Sequence, residues 1–517
     1  MSTDAGTAKG PGPAEAPKST APQEVASRKV AASSAPAQDV FAAVDLGATS
    51  GRVILGHLSD HAEGVRLATR HVARFGNGPV RTRDGLHWNI LELYRQILLG
   101  LAAAERLTPG QIASVGVDSW AVDYALLARE RLLGVPFHYR DTRTEAGVTA
   151  VHAKISPGEL YQHNGLQHLS FNTIFQLATE GALLEVADRF LLIPDLINFW
   201  LTGVAVAERT NASTTGLLGA GSRDWNISLA RTLGIRPHLL PPLVDPGARL
   251  GRLTPDVADT VGQTLDVVAV GSHDTASAVV AVPATGEDFA YISCGTWGLV
   301  GLELKDPVLT EDARRAGFTN EGGVDGRTRF LHNVMGLWLL SESQRHWDPA
   351  STDAQRSSRL SDLLDEAGRV QQPVGIFDVD DPAFLSPGDI PTRIRNWCRA
   401  HGQPVPQTPA ETVRSIVESL AAAFATAVAD AARLADHDVS VIHLVGGGSL
   451  NTLLCQLTAD ASGLPVLAGP VEATAMGNLL IQARAAGQLD PDLEDLRTVA
   501  RRSSVITRYE PRSRKSS

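Results

Sequence analysis

The chain contains two patterns of the same plan: an apolar strand, a turn of glycine and small hydroxyl residues, and a second apolar strand. Each pattern is typical of a β-hairpin. The strands are predicted over 41–44 and 52–57 in the first pattern and over 289–293 and 299–304 in the second. Further strands and helices alternate between and after the hairpins. The repeated plan predicts a duplicated α/β fold with two similar halves and a cleft between them.

The other predicted elements follow from periodicity and apolar runs. They are strands at 114–117, 190–193, 267–270 and 441–445 and helices at 91–105 and 411–434. With 517 residues the chain is too long for a single hydrophobic core, so two or more domains are expected. The predicted organisation is a tail over 1–38, an N-terminal domain over 39–283, a C-terminal domain over 284–507 and a basic tail over 508–517.

The first 38 residues are rich in Ala, Pro, Ser and Thr and hold almost no large apolar residues, which predicts a disordered segment. A transit peptide is the alternative, but such peptides are poor in acids, and this segment contains Asp4, Glu15 and Glu24. The last ten residues are basic and are predicted to be frayed.

The net charge of −11 argues against a nucleic-acid-binding protein. No uninterrupted apolar run approaches the roughly 20 residues of a membrane span. The cysteines Cys294, Cys398 and Cys455 are too far apart for a zinc pattern or a disulfide framework, and each is expected to be buried. We therefore expect a cytoplasmic protein without a membrane or nucleic-acid partner. The sequence leaves open whether it is a monomer or a dimer.

The first turn suits a phosphate group. Gly47 and Gly51 permit a tight turn, and Ala48 keeps it small. Thr49, Ser50 and Arg52 can donate hydrogen bonds to phosphate oxygens. Asp45 could hold Mg²⁺ through water. The alternative is an ordinary turn after a strand. The chain has no G-x-x-x-x-G-K-[ST], so it is not a P-loop enzyme.

Asp274 is the candidate general base. It follows a buried strand and stands between His273 and Thr275, which can bind a sugar and hold the carboxylate in place. A sugar hydroxyl has a very high pKa and must lose its proton as it attacks phosphorus. The small residues after Thr275 indicate the start of a helix, so the alternative is that Asp274 only caps this helix.

Three further segments could complete a site. Thr296 in the second turn could meet the terminal phosphate from the other side of the cleft. Glycines 446–448 at a strand end permit close approach of a base or ribose, although such a run is also a common loop. Asn333 and Ser341 flank an apolar run over 334–340, for which a core helix is the simplest interpretation.

The segment Asp118-Ser119-Trp120-Ala121-Val122-Asp123 combines two acids with an indole. Acids can bind sugar hydroxyls, and an indole face can pack on the C–H side of a sugar. The segment Arg140-Asp141-Thr142-Arg143 could add polar contacts. A strand edge with a solvated charge cluster is the alternative for both segments.

Taken together, these segments resemble the FGGY carbohydrate kinases from about residue 40 to about residue 490. The segments that carry the resemblance are 44–52, 116–123, 139–143, 272–279, 293–297, 320–323, 333–340 and 445–448. The resemblance implies an actin-like (ribonuclease H-like), duplicated two-domain ATPase fold that closes over ATP, Mg²⁺ and a sugar. It implies ATP-dependent phosphorylation of L-rhamnulose at O1 in rhamnose catabolism.

The resemblance also implies roles for individual residues. Asp274 would accept the proton, with His273 and Thr275 on the sugar, and the nucleotide would be bound by residues 48–52, Thr296, Asn333 and Gly447. Two positions depart from the family pattern. Ala121 stands where glycine usually follows the tryptophan, and Ser341 stands where a glutamine usually contacts the nucleotide.

Two alternatives remain at the level of sequence. Ala121 keeps open a kinase for another ketose, such as L-fuculose or L-ribulose. A non-catalytic sugar sensor or an actin-like assembly protein on the same fold would be expected to lack the base or the phosphate-binding turn, and both are present here.

Overall fold

The computed structural model describes residues 40–512. The strands are β1 Val40–Leu46, β2 Ser50–Ser59, β3 Arg66–Gly76, β4 Pro79–Arg81, β5 Leu86–Trp88, β6 Ile112–Ser119, β7 Tyr124–Ala128, β8 Arg131–Leu132, β9 Arg189–Leu192, β10 Ala207–Glu208, β11 Leu243–Val244, β12 Arg249–Arg252, β13 Asp266–Val268, β14 Phe289–Cys294, β15 Trp297–Leu304, β16 Thr319–Gly322, β17 Thr328–Met335, β18 Val441–Val445, β19 Val466–Ala468 and β20 Thr507–Tyr509.

The helices are α1 Ile90–Leu107, α2 Thr144–His152, α3 Pro157–Asn164, α4 Thr173–Leu177, α5 Leu183–Val186, α6 Ile193–Thr202, α7 Arg209–Ala212, α8 Ile227–Leu233, α9 Pro255–Val261, α10 Asp274–Val280, α11 Glu311–Arg315, α12 Trp338–Trp347, α13 Asp353–Gly368, α14 Ile390–Ala400, α15 Pro409–Ala435, α16 Thr452–Ser462, α17 Ala473–Ala485 and α18 Leu493–Ser503.

Two large mixed sheets carry the fold. The first has the strand order β12-β13-β6-β1-β2-β3 and the second the order β16-β17-β15-β14-β18-β19-β20. In both, an antiparallel hairpin is followed by parallel strands: β1 pairs with β2 and then with β6, and β14 pairs with β15 and then with β18. Both predicted hairpins are therefore present, and the strands predicted at 114–117 and 441–445 lie next to them.

Helix α17, late in the chain, packs on the first sheet. Gln482 donates to the carbonyl of Ala42 and accepts from Ser114, and Asn478 donates to the carbonyl of Gly116. Gly477 lets α17 cross α10 closely, because a Cβ at this position would lie 1.8 Å from the Ser277 carbonyl oxygen. The start of α10 is thus held by an element from the far end of the sequence.

Helix α15 confirms the predicted alanine-rich helix and corrects one expectation. By length and composition alone, this helix is long and apolar enough to cross a membrane. The sequence was expected to contain no such segment, because no uninterrupted apolar run reaches that length. Its buried residues include Ile416, Leu420 and Phe424, which pack in the core around the second sheet. Burial of this kind is what a core helix of a globular domain shows.

Three other expectations are refined. The apolar run over 334–340 is not one helix, because it ends β17 and then begins α12. Residue Arg508, assigned to a frayed tail, lies in β20, which pairs with β19, and Arg512 forms an ion pair with Asp460. The tail over 1–38 and residues 513–517 lie outside the described residues, and the domain boundary near 283 stays a prediction.

Candidate active site

A cavity of about 250 Å³ lies at the strand ends of both large sheets. Most residues predicted for the site line it. They are Asp45, Ala48, Thr49, Ser50, Arg52, Trp120, Ala121, His273, Asp274, Thr275, Thr296, Asn333 and Gly447. The lining does not include Gly51, Asp118 or Ser341.

The turn between β1 and β2 is closed by its own backbone and braced from outside. The Gly47 N–H donates to the Ser50 carbonyl at 2.9 Å. The buried side chain of Asn77 donates to the Gly47 carbonyl at 2.8 Å, and the Asn77 N–H donates to the Thr49 carbonyl at 3.0 Å. This bracing holds Thr49 and Ser50 at the cavity wall.

Gly51 has a packing role. A Cβ built on Gly51 would lie 2.2 Å from the ring of Phe75 on the neighbouring strand. The close approach of this ring explains why the strand carries a glycine here. The predicted nucleotide contact at Gly51 stays a prediction that the cavity lining does not support.

Two carboxylates stand side by side where β1 and β6 end. The parallel register pairs Asp45 with Asp118. Asp118 is fully buried and accepts a hydrogen bond from Asn478 at 2.6 Å, so it lies behind the cavity wall and not in it. Burial raises the pKa of Asp45 to about 6, with Arg52 opposing and Asp274 and Glu472 adding to the shift. Burial and the neighbouring Asp45 also raise the pKa of Asp118.

Arg52 does not point freely at the cavity. Its guanidinium lies 3.5 Å from the Asp45 carboxylate and forms a close ion pair with Glu472, which immediately precedes α17. The arginine predicted to bind phosphate is thus shared between two acids. Glu472 also lines the cavity and was not predicted, because the sequence gives no sign that it returns to the first hairpin.

Asp274 opens α10 and faces the cavity with its side chain 30% exposed. The Thr275 hydroxyl donates to Asp274 Oδ1 at 3.0 Å, and His273 Nε2 lies 3.3 Å from the same oxygen. His273 is the residue that caps the helix, and no side-chain capping bond is formed. The alternative that Asp274 merely caps the helix is therefore not what the structure shows.

An aromatic wall forms another side of the cavity. Trp120, Tyr139 and Phe171 line it. Behind this wall Asp123 is buried and accepts hydrogen bonds from the indoles of Trp88 and Trp120 at 2.6 and 3.1 Å. Burial raises the pKa of Asp123 to about 7. Both Asp118 and Asp123 were predicted as direct sugar ligands from their residue type. Asp123 instead braces the wall from behind, and Asp118 is buried against Asn478.

The turn that carries Ala121 is held in an unusual backbone conformation. Val122 has a φ of +66°, which a β-branched residue rarely adopts. The Thr173 hydroxyl donates to the Val122 carbonyl at 2.6 Å, and the Val122 N–H donates to the Thr214 hydroxyl at 3.4 Å. These contacts fix the direction of Ala121 at the cavity wall.

The segment over 140–143 does not line the cavity. The Arg140 guanidinium lies 4.2 Å from the ring centroid of Trp338 and 5.6 Å from that of Trp297. Arg143 forms an ion pair with Glu180 at 3.1 Å. The predicted polar contacts to a sugar are therefore contacts between protein elements.

The second sheet contributes a turn and a glycine loop. In the turn the Gly295 N–H donates to the Trp297 carbonyl at 2.8 Å. Gly446 has a φ of +83°, and a Cβ on Gly448 would lie 2.3 Å from the Cys294 sulfur. The glycines let this loop approach the turn that carries Thr296. As expected, all three cysteines are buried.

The two residues beside the apolar run differ in position. Asn333 lines the cavity, and its side chain donates to Gln167 at 2.9 Å. Ser341 lies inside α12, where its N–H donates to the Leu337 carbonyl. The predicted nucleotide contact at Ser341 is not supported by this placement, because Ser341 does not line the cavity.

Comparison with known proteins gives two consecutive matches to one family. Residues 40–281 match the N-terminal domain and residues 290–486 the C-terminal domain of the FGGY family of carbohydrate kinases. The chain belongs to this family. The predicted actin-like, duplicated two-domain α/β fold is confirmed.

Individual relatives narrow the comparison. The rhamnulokinase of Bacteroides thetaiotaomicron is 39% identical over 477 residues, covering 91% of this chain and 96% of the relative. The rhamnulokinase of Bacillus subtilis is 37% identical over 477 residues, covering 92% and 96%. The resemblance inferred from the sequence is thus confirmed.

Solved structures share the fold at low identity. A ligand-bound xylulose kinase from Lactobacillus acidophilus has a TM-score of 0.71 at 17% identity, covering 92% of this chain and 94% of the other. The Plasmodium falciparum glycerol kinase with ADP has a TM-score of 0.71 at 14% identity, covering 92% and 95%.

Proposed function

We propose that the chain transfers the terminal phosphoryl group of ATP to O1 of L-rhamnulose, giving L-rhamnulose 1-phosphate and ADP. The position of Asp274 carries this proposal. It is an acid at a helix start, opening onto a cavity whose far side holds the Thr296 turn and the glycine loop. The family and the identity to rhamnulokinases support the choice of sugar.

Asp274 would act as the general base. Thr275 and His273 both approach Oδ1, and within residues 40–512 no hydrogen bond from the protein reaches Oδ2. Oδ2 is thereby left to accept the proton of the sugar hydroxyl as its oxygen attacks phosphorus. General-base assistance of this kind contributes about 100- to 10,000-fold to rate.

The nucleotide would lie across both sheets. The turn over 48–52 donates to phosphate oxygens from one side, and Thr296 and Gly447 do so from the other. Asn333 would reach the nucleotide after exchanging its bond to Gln167. Arg52 would balance phosphate charge while held by Glu472. Trp120 and Tyr139 would pack on the sugar.

The residues present fit Mg²⁺ as a companion of ATP. Asp45 and Asp118 lie side by side with pKa values raised by burial, and the buried Asp118 Oδ1 has no hydrogen-bond partner among the described residues. No cluster of three or more acids, histidines or cysteines within 40–512 forms a cage for a metal. This suits an ion held mainly by phosphate and water, with Asp45 as its protein contact. When bound, the ion would neutralise charge on the phosphoryl oxygens.

A kinase for another ketose is the second candidate. Ala121 lines the cavity next to Trp120, and its methyl group narrows the space there. L-fuculose or L-ribulose would then be the preferred acceptor. In either case we place the enzyme in the cytoplasm, where ATP is supplied.

The test is a coupled ADP-release assay with ATP and Mg²⁺. L-rhamnulose, L-fuculose, L-ribulose, D-xylulose and glycerol are offered at equal concentration. We expect the highest kcat/KM for L-rhamnulose. A higher kcat/KM for another sugar would indicate that Ala121 and its neighbours favour that sugar over L-rhamnulose. No turnover with any sugar, while ATP still binds, would contradict the kinase assignment.

A further inference from the structure

A buried arginine lies behind the candidate base. Arg329 on β17 is opposite Glu321 on β16 in the antiparallel register. Both are buried, as is His273, with relative exposures of 0%, 7% and 5%. A charged group withdrawn this far from water needs close partners, because burial of an unpaired charge carries a large penalty.

The partners of Arg329 connect it to His273. One terminal nitrogen of Arg329 lies 3.1 Å from the Glu321 carboxylate and donates to His273 Nδ1 at 3.0 Å. Its Nε donates to the Gly322 carbonyl at 3.0 Å. Burial works to raise the pKa of Glu321, but the charge of Arg329 is the main opposing cause, and the pKa is held below its ordinary value. Arg329 and Glu321 are therefore both charged.

This contact determines where the His273 proton lies. Nδ1 lies between Arg329, which can only donate, and a Glu321 carboxylate oxygen at 3.2 Å, which can only accept. That Glu321 oxygen forms no hydrogen bond among the described residues, whereas Arg329 and Nδ1 do form one, so Nδ1 accepts. In a neutral imidazole the proton is then on Nε2. Nε2 lies 3.3 Å from Asp274 Oδ1. The arginine thus turns His273 into a donor toward the carboxylate.

We propose that Arg329 is a positioning residue, which holds His273 in the Nε2–H tautomer and so keeps Asp274 Oδ2 directed at the sugar. The inference rests on the proposed function for its catalytic consequence. Arg329 itself touches neither substrate. Glu321 shares the task by keeping the guanidinium in place across the strand pair.

A second buried arginine supplies a matched control. Arg497 is 1% exposed and pairs with Glu303 at 2.5 Å. It also lies near Glu494, and no contact with His273 or Asp274 is formed among the described residues. A substitution at Arg497 breaks a buried ion pair of the same kind without touching the base.

The first experiment measures the tautomer in the wild-type enzyme. Nitrogen-15 NMR of histidine-labelled enzyme separates the two neutral tautomers, and the spectrum of His273→Asn assigns the signal. We expect His273 in the Nε2–H form in the free protein. The Nδ1–H form would overturn the inference whether or not any sugar is phosphorylated.

The second experiment compares Arg329→Met, Arg329→Lys and Arg497→Met in the ADP-release assay. A small misplacement of a catalytic group can lower the rate by about 100-fold, so we expect kcat of Arg329→Met to fall about 10- to 100-fold with KM for ATP unchanged. Arg329→Lys should recover part of the loss, and Arg497→Met should stay within about threefold of wild type.

The outcomes separate the two proposals. Equal kcat values for Arg329→Met and Arg497→Met would overturn the positioning role. If the wild-type enzyme prefers another sugar, the kcat values of the variants are compared with wild type on that sugar. In that case only the proposed substrate is wrong. If wild type phosphorylates no sugar, the proposed function fails and the tautomer measurement decides the inference. If Arg329→Met does not fold, Arg329→Lys and the wild-type tautomer decide.

Discussion

The two large sheets share one plan but end their strands with different chemistry. In the first sheet the next-to-last residues of β1 and β6 are Asp45 and Asp118, and the loop after β13 leads to Asp274. In the second sheet β14 ends with Cys294, and β18 is followed by Gly446. The first sheet brings Asp45 and Asp274 to the cavity, whereas the turn and the glycine loop of the second sheet bring small, uncharged residues. Glu321 on β16 of the second sheet also lines the cavity.

This difference indicates that the two halves of the duplicated fold serve different parts of the proposed reaction. In the first sheet, burial is the main cause of the raised pKa values of Asp45 and Asp118, and Asp274 adds to both shifts. Perturbed carboxylates of this kind suit the proton and metal chemistry that we propose for this sheet. The second sheet has a glycine loop with little side chain in the way, which suits a nucleotide.

The largest expected effect removes the base from the first sheet. Asp274→Asn should lower kcat at least about 100-fold, because an amide cannot take the sugar proton. ATP affinity should be retained, since the nucleotide contacts lie elsewhere. The assay is ADP release with saturating ATP, beside calorimetric ATP titration. A kcat within tenfold of wild type would remove Asp274 as the base.

The next prediction concerns stability and pH. Asp45 has a pKa of about 6 when folded against 3.8 ordinarily, so the folded state binds more protons between these values and stability falls as pH rises from 3.8 to 6. Asp45→Asn removes this penalty. In urea unfolding at pH 7.5, without ATP or Mg²⁺, the variant should be more stable by about 1–3 kcal/mol.

The same titration at pH 4 is the control for Asp45. At pH 4 the carboxyl is protonated in the folded state and about two-fifths protonated in the unfolded state, so the gain should fall to about 0.5 kcal/mol. A variant less stable than wild type at pH 7.5 would contradict the account of Asp45 as a carboxylate destabilised by burial.

A smaller effect is expected from the second sheet. Gly446→Ala places a methyl 3.0 Å from the Cys294 carbonyl oxygen at a φ of +83°. Strain of about 1–2 kcal/mol should weaken ATP binding roughly 5- to 30-fold, measured by calorimetry. Gly463→Ala shares a positive φ, +70°, but has open space around it and should not change ATP affinity. Equal ATP affinities in the two variants would contradict a contact between the glycine loop and the nucleotide.

The smallest expected effect concerns the preference of the enzyme between sugars. Ala121→Gly removes one methyl from the cavity wall, worth about 0.8 kcal/mol, so the preference for L-rhamnulose over L-fuculose should change about fourfold or less. Ala48→Gly, on the ATP side, should leave that preference unchanged. The measurement is the ratio of kcat/KM values. A change larger than about tenfold at Ala121 would make this residue the main specificity determinant.

Local patterns predicted much of the fold because hairpins, strands and α15 are encoded by neighbouring residues. The same local patterns predicted most residues of the candidate site, because the glycine and threonine turns that carry them directly follow strands. Contacts between distant segments could not be predicted in this way. Asn478 reaches Asp118 and Glu472 reaches Arg52 only after α17 packs on the first sheet.

Residue type alone was misleading for the acids near Trp120. Asp118 and Asp123 were predicted to bind sugar because carboxylates often do, but both are buried behind the wall. Arg329 offered one sign that could have been used: it directly precedes the apolar pair Phe330-Leu331, and an arginine buried beside them needs a partner. Its partner, Glu321, was visible only as part of a family segment.

Product identification tests the central claim most directly. Wild-type enzyme is incubated with L-rhamnulose, ATP and Mg²⁺, and the products are followed by phosphorus NMR. We expect a phosphomonoester on the C1 methylene, formed in equal amount with ADP. Phosphate on another carbon, or ADP with only inorganic phosphate, would contradict it.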